Sequence, residues 1–188
     1  LGLKDRQRVQ LIAASALEAK RIVEGLLNFA RQETPHLAPF HIDAAVKKLL
    51  ALPTYRFKQW GVEAAVELGP DLPHTMADPD QIERVLVNLV NNACQAMEGS
   101  GGKLKLSARR EPGRLVIEVE DSGPGIAPEN LPRIFDPFFS TKGLGKGTGL
   151  GLSLCHGIIK QHGGEIEVES APGRTLFRVL LPLVAPAA

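Results

Sequence analysis

Residues 121–151 read DSGPGIAPENLPRIFDPFFSTKGLGKGTGLG: an acid, two separated glycine clusters, a Phe-Pro-Phe-Phe knot and two lysines. Gly143, Gly145, Gly147, Gly149 and Gly151 remove the side chain at every second position. Backbone N–H groups can then approach an anion, and left-handed φ costs little. The run enters Leu150–Gln161, apolar enough to be a helix. A helix N-terminus offers unpaired N–H groups and a positive dipole end to phosphate. Backbone amides with Lys142 or Lys146 could therefore hold a polyphosphate. The spacing fits neither G-x-x-x-x-G-K-[ST], because Gly147 follows Lys146, nor G-x-G-x-x-G.

A glycine run alone also suits a flexible linker. The segment before it argues otherwise. Asp121 closes a strand-like run, Leu115–Glu120, and precedes the tight turn Ser122-Gly123-Pro124-Gly125. That leaves a carboxylate fixed at a strand end, free to accept hydrogen bonds from an exocyclic amine.

Further upstream, Asp78-Pro79-Asp80 is a helix start: a capping acid, proline at the first helical position, then an acid near the positive dipole end. The helix it opens, to about Met97, turns Val85, Leu86, Leu89, Val90 and Ala93 toward a core. Asn88 and Asn92, one turn apart, share a face. Amides on an apolar helix need partners. They either cap neighbouring backbone or, with Asp121 and the glycine loops near, serve as oxygen ligands to Mg²⁺ and phosphate, the role preferred for Asn92.

Three blocks resemble the ATP-binding domain of sensor histidine kinases: NLVNNA at Asn88–Ala93, DSGPGIA at Asp121–Ala127 with FDPFF at Phe135–Phe139, and GKGTGLGLS at Gly145–Ser153. His162-Gly163-Gly164 looks like the turn that follows them. The resemblance covers roughly Phe40 to Leu183, in a superfamily that includes type II topoisomerase, mismatch-repair and heat-shock ATPases. It implies a two-layer α/β sandwich, a mixed sheet with helices on one face, preceded by a long dimerisation-type helix. It implies ATP and Mg²⁺ as ligands, with Asp121 on the adenine amine and Gly123 and Gly125 letting backbone lie against the base. Gly147, Gly149 and Gly151 would cradle phosphates, Asn92 would hold the metal, and Ile126, Phe135, Thr148 and Leu150 would complete the pocket. Asn88 stands where the superfamily's hydrolases resemble one another in a water-activating glutamate. An amide cannot be that base, so Asn88 is at most a positioning residue, and Glu83 lies off that face.

Leu3–Gln32 reads as one long helix with Val9, Ile12, Ala16, Ala19, Val23, Leu26 and Ala30 at alternating three- and four-residue steps. That is a narrow seam in need of a partner. By resemblance it is the second helix of a dimerising hairpin whose first helix carries the phosphate-accepting histidine. None of the five histidines, His36, His41, His74, His156 and His162, stands in such an acceptor sequence. The chain is thus expected to be a fragment of a larger kinase, lacking the acceptor and homodimeric through residues 3–32. The domains expected are a helix at 1–34, a proline-punctuated linker at 35–41, a catalytic domain at 42–184 and a tail at 185–188.

The remaining elements follow from pattern. Ile42–Leu52 reads as a helix and Val62–Leu68 as a strand. Lys103–Arg109 and Arg114–Glu120 form a hairpin through Glu111-Pro112-Gly113, and Ile166–Ser170 and Thr175–Leu181 close the sheet. Pro128–Phe135 reads as a short helix, and Phe135, Phe138 and Phe139 as packing anchors for a mobile lid. Trp60 and Tyr55 are expected against the core, and the Ala171–Thr175 turn is shorter than the resemblance leads one to expect.

The net charge of +1 argues against a nucleic-acid surface. No apolar run is long enough for a bilayer, and no signal peptide is read, which predicts a cytoplasmic chain without membrane contact. Cys94 and Cys155 lack ligand spacing and read as buried, reduced thiols. The function expected is γ-phosphoryl transfer from ATP to a histidine outside the chain, then onward to a response-regulator receiver domain. The rivals are a superfamily ATPase and a non-catalytic nucleotide-binding module.

Overall fold

The computed structural model describes residues 8–9, 12–13, 16, 23, 34–51, 57, 60–142 and 148–183. Apart from six scattered positions, the helix expected over 3–32 lies outside the described residues, as do Tyr55, Lys146, Gly147 and the tail. The elements in order are β1 (Ala38–Phe40), α1 (Ile42–Ala51), β2 (Val62–Leu68), β3 (Thr75–Ala77), α2 (Pro79–Ala96), β4 (Gly102–Glu111), β5 (Arg114–Asp121), a 3-10 turn (Leu131–Arg133), α3 (Gly151–Gln161), β6 (Glu165–Ala171) and β7 (Arg174–Pro182).

Five strands form one mixed sheet in the order β2-β4-β5-β7-β6. β2 pairs with β4 in parallel, and the remaining pairs are antiparallel. A parallel pair needs a long crossover, and here α2 supplies it, which puts that helix across a sheet face. Strand alternation then sorts the residues. Leu104, Leu106, Leu115, Ile117, Val119, Phe177, Val179 and Leu181 are buried on the face that carries the helices. The opposite face is tiled by cross-strand ion pairs, including Glu118 with Arg109 at 2.7 Å and with Arg178 at 2.9 Å.

The helix α2 begins where its sequence says it should. Asp78 has extended backbone and its Oδ1 accepts the N–H groups of Asp80 and Gln81, with Pro79 in the first turn. Ile82, Val85, Leu86, Leu89, Val90, Ala93 and Cys94 are buried, the 3-4 stripe of a helix that packs on β4, β5, α1 and α3. His162 ends α3 at the same place: its Nε2 accepts the Asp78 N–H at 2.9 Å, and its Nδ1 lies 2.8 Å from the Ile158 carbonyl. His162, in the turn read from the sequence at His162-Gly163-Gly164, thereby has a defined task of joining two helix termini.

Two expectations change. Within the stretch read as linker, Ala38–Phe40 is a strand that pairs antiparallel with Thr75–Ala77 as a separate two-stranded sheet. Pro39 is tolerated because that ribbon is short and open-edged. The helix expected over 128–135 is a single 3-10 turn. Pro132 removes a donor and Pro137 lies just beyond, and residues before proline avoid helical backbone.

Candidate nucleotide site

A cavity of about 800 Å³ opens between α2, the end of β5 and the segment leading into α3. Its volume lies within the range of small-molecule sites. From α2 it receives Asn88, Asn91, Asn92 and Gln95, which recur at three- and four-residue steps along one face. Sequence reasoning took only the first and third of these. Continuing the same helical step would have found Asn91 and Gln95.

Asp121 enters from the sheet. Register sets it between Leu104 of β4 and Thr175 of β7, and it is only 4% exposed. Its Oδ1 accepts the Gly123 N–H at 2.8 Å. Burial pushes its carboxyl above the ordinary range, the Gly123 N–H opposes this, and the Glu120 charge adds to it. The carboxylate is thus an acceptor kept dry at the cavity wall, beside Thr175 and Phe177.

The glycines after Asp121 have steric tasks of their own. A Cβ on Gly123 would stand 2.6 Å from Asp121 Oδ1, and Gly123 does not line the cavity. Gly125 does line it, with φ +86, but a Cβ there would meet the Ala171 carbonyl oxygen at 2.4 Å. Its bareness admits the β6–β7 hairpin. The Ile126 N–H donates to Ser170 Oγ at 2.8 Å on the same hairpin, whose tight Pro172-Gly173 turn forms despite its shortness.

The segment between Phe138 and Gly149 is closed at its ends. The Phe138 N–H donates to the Gly149 carbonyl at 3.0 Å. Gly149 has φ +67, and a Cβ on it would meet Phe138 carbonyl carbon at 2.4 Å. Phe138 itself has φ 66 and is 59% exposed, so it is not the packing anchor expected. Phe135 and Phe139 do pack on the core. Phe135 stacks at 5.4 Å on His156 rather than lining the cavity, and Arg133 lies 4.6 Å over the Phe139 ring.

Lys142 reaches into the cavity, where its ammonium donates to the Gln95 amide oxygen. Burial lowers its pKa, against the pull of Glu98. Ser140, Thr141, Thr148, Gly149, Gly151 and Leu152 complete that side. Gly151 brings the start of α3 within 3.6 Å of Asn88 Oδ1, measured from the Cβ it lacks. Leu150, expected at the ligand, is buried at 3% and accepts the Ser153 hydroxyl.

Of the residues expected at the site, the structure gathers Asn88, Asn92, Asp121, Gly125, Ile126, Lys142, Thr148, Gly149 and Gly151 around one cavity. Gly123, Phe135 and Leu150 are not among the residues that line it. Glu83, the nearest acid on α2, is turned away into a 2.6 Å pair with Lys48. The thiols are buried as expected, Cys94 pushed up to about 11 by burial and the Asp121 charge, Cys155 to about 12 chiefly by burial.

A cavity with one dry carboxylate, a row of amides, a lysine and the amino end of a helix defines a nucleotide-binding α/β domain. Residues 77–185 match the family of histidine kinase-, DNA gyrase B- and HSP90-like ATPases, and the chain belongs to that family. Over 187 residues it is 36% identical to the two-component sensor PprA of Pseudomonas aeruginosa, covering 96% of this chain and 20% of that protein. It superposes on full-length ShkA in complex with AMPPNP with a TM-score of 0.83 and 29% identity, covering 100% of this chain and 41% of that one. It superposes on histidine kinase ThkA in complex with response regulator protein TrrA with a TM-score of 0.79 and 25% identity, covering 98% and 53%. The chain thus spans about a fifth of the length of the sensor PprA.

Proposed function

We propose that the chain is the ATP-binding part of a cytoplasmic protein-histidine kinase, and that it presents the γ-phosphoryl group to a histidine of another segment. The observation that carries the reading is Asp121, a carboxylate nearly out of water at the wall of a cavity whose other polar lining is amides, hydroxyls and one lysine, set among apolar side chains such as Ile126, Ile134 and Phe177. Such an acid earns its burial by accepting from an amine, as the adenine N6 does.

The donor set fits the rest of the nucleotide. Lys142, the backbone of Thr148 and Gly149 and the first N–H groups of α3 at Gly151 supply positive charge and donors for phosphate oxygens. Lys146 and Gly147 belong to the same loop in sequence. Among the described residues no group of three or more His, Cys, Asp or Glu could hold a metal. Mg²⁺ is well suited to such a place, since it takes few protein oxygens and fills its shell with phosphate and water. Asn92 would hold it, and the ion would neutralise charge on the transferring group.

In this site the chain's own residues position rather than ionise. Asn88 faces the cavity as an amide and has no base to lend to water, and among the described residues that line the cavity there is no glutamate. The attacking imidazole is nucleophilic without base catalysis, so orientation and charge neutralisation suffice. The exposure of Val9, Ile12 and Val23 supports residues 3–32 as the dimer contact. The structural likeness to a kinase bound to a response regulator supports a receiver domain as the next acceptor.

The test is ATP titration with and without Mg²⁺, followed by labelled ATP with a separately made acceptor-helix segment. Label on an acid-labile, base-stable phosphoimidazole is the expected outcome. Steady phosphate release without transfer would replace the reading with an ATPase, and binding with neither would leave a regulatory nucleotide-binding module.

A further inference from the structure

Two histidines that the nucleotide site does not use meet at the end of the small sheet. Phe40 faces Thr75 in the β1–β3 register, so His41 and His74 occupy the next facing positions. Their ring centroids are 3.7 Å apart at an interplanar angle of 66°. Aromatic pairs prefer roughly 4.5–7 Å. Both residues are exposed. Their backbones are held by neighbours: the His41 carbonyl accepts the Ala45 N–H at 3.4 Å as α1 opens, and Thr75, next to His74, donates its hydroxyl to the Pro182 carbonyl at 2.6 Å.

His162 shows the contrast. Both of its ring nitrogens are engaged by backbone groups, which makes it structural. His41 and His74 instead offer their rings to solvent, side by side, just beyond the facing ends of the two strands.

We propose that His41 and His74 form a two-imidazole site for a borderline divalent transition ion, Zn²⁺ or Cu²⁺, which staples β1 to β3. Metal–imidazole bonds of about 2.0–2.1 Å set two nitrogens on one tetrahedral ion roughly 3–4 Å apart, and two exposed rings on facing positions of one ribbon can turn from their edge-on packing to present them so. Neutral imidazole favours Zn²⁺ and Cu²⁺, with Cu²⁺ ahead by affinity order, whereas Mg²⁺ prefers oxygen. Among the described residues no third His, Cys, Asp or Glu joins the pair, so water fills the remaining positions. The ion's place in the fold gives it a purpose: β1 is the strand by which the chain from residues 34–37 enters the domain, and the staple fixes that entry.

The experiment is calorimetric titration of the whole chain with Zn²⁺, with Mg²⁺ as the control ion, on the wild type and the His41→Ala, His74→Ala and His36→Ala variants. One Zn²⁺ per chain is expected. Either of the first two substitutions should weaken it by about tenfold or more, at least what the loss of a second-shell partner costs, and His36→Ala should leave it unchanged. Saturating Zn²⁺ should raise the melting temperature of the wild type and not of His41→Ala or His74→Ala. With Cu²⁺, nitrogen hyperfine structure should fall from two ligands to one in each variant, and ATP affinity should be the same in all forms. Absence of Zn²⁺ binding by the wild type, or equal binding by the wild type and both variants, overturns the site.

Discussion

Asp121 is held against its own ionisation. Burial raises its pKa in the folded chain, so the native state binds that proton more readily than the unfolded one. Stability therefore falls as pH rises from the ordinary Asp range through the raised value. Asp121→Asn, which keeps an oxygen for Gly123, should melt above the wild type at neutral pH, and the gap should close once the wild-type carboxyl is protonated in acid. The same change, and more so Asp121→Ala, should weaken ATP by about 1.5–3 kcal/mol, roughly ten- to a hundredfold, the worth of a charged hydrogen bond. Asn92→Ala should remove mainly the Mg²⁺-dependent part of binding. Asp78 behaves in the opposite sense. Burial pushes its carboxyl up, but the N–H groups of His36, Gln81 and Asp80 outweigh that and hold it below the usual range. Its stabilisation is complete above the unfolded Asp value and is lost as pH falls through the folded one. Asp78→Ala should cost about 1–2 kcal/mol at neutral pH, a deficit that denaturant titration should find shrinking as pH falls below the ordinary Asp range.

At the scale of elements, two turn glycines separate strain from collision. Gly125 and Gly173 have φ of +86 and +83, but a Cβ meets Ala171 backbone at Gly125 and nothing within 4 Å at Gly173. Gly173→Ala should cost about 1–2 kcal/mol, the ordinary left-handed penalty. Gly125→Ala should cost more and should also loosen ATP, because the loop it sits in carries Ile126 against the cavity. The elements also mark what was legible in the sequence. The long periodic pieces, α2 with its Asp78 cap and the alternating strands β4 and β5, declare themselves because propensity, pattern and punctuation agree. The β1–β3 ribbon does not, since three-residue strands have no period and one contains Pro39. The cavity's acid and amides were readable from spacing, but the reason for Gly125 was not: it lies in a contact with Ala171, 46 residues away by number. Phe138 was misjudged for a similar cause, as its left-handed backbone, set by Gly149, turns the ring outward.

For the whole molecule, the sheet and its helices form a core whose described members run from Phe40 to Leu181. A chain starting at Thr34 should keep its ATP affinity and melting behaviour and lose self-association, with sedimentation velocity as the check; a dimer surviving that deletion would place the contact elsewhere. The sheet itself is a poor place to look for it. Its outer strands are β2 and β6, and their solvent-facing positions carry Glu63 and Glu67 on one and Glu165, Glu167 and Glu169 on the other. Unpaired strand edges invite another chain to add itself. Here each border carries a line of carboxylates, some of them bridged to the neighbouring strand, Glu67 to Lys105 at 2.7 Å and Glu169 to Arg178 at 2.5 Å, and this charged margin discourages crowded molecules from zipping together into ribbons. Glu63→Val with Glu167→Val would thin that margin on both borders at once, and light scattering should find that variant, and not the wild type, forming aggregates rich in β-structure at high concentration.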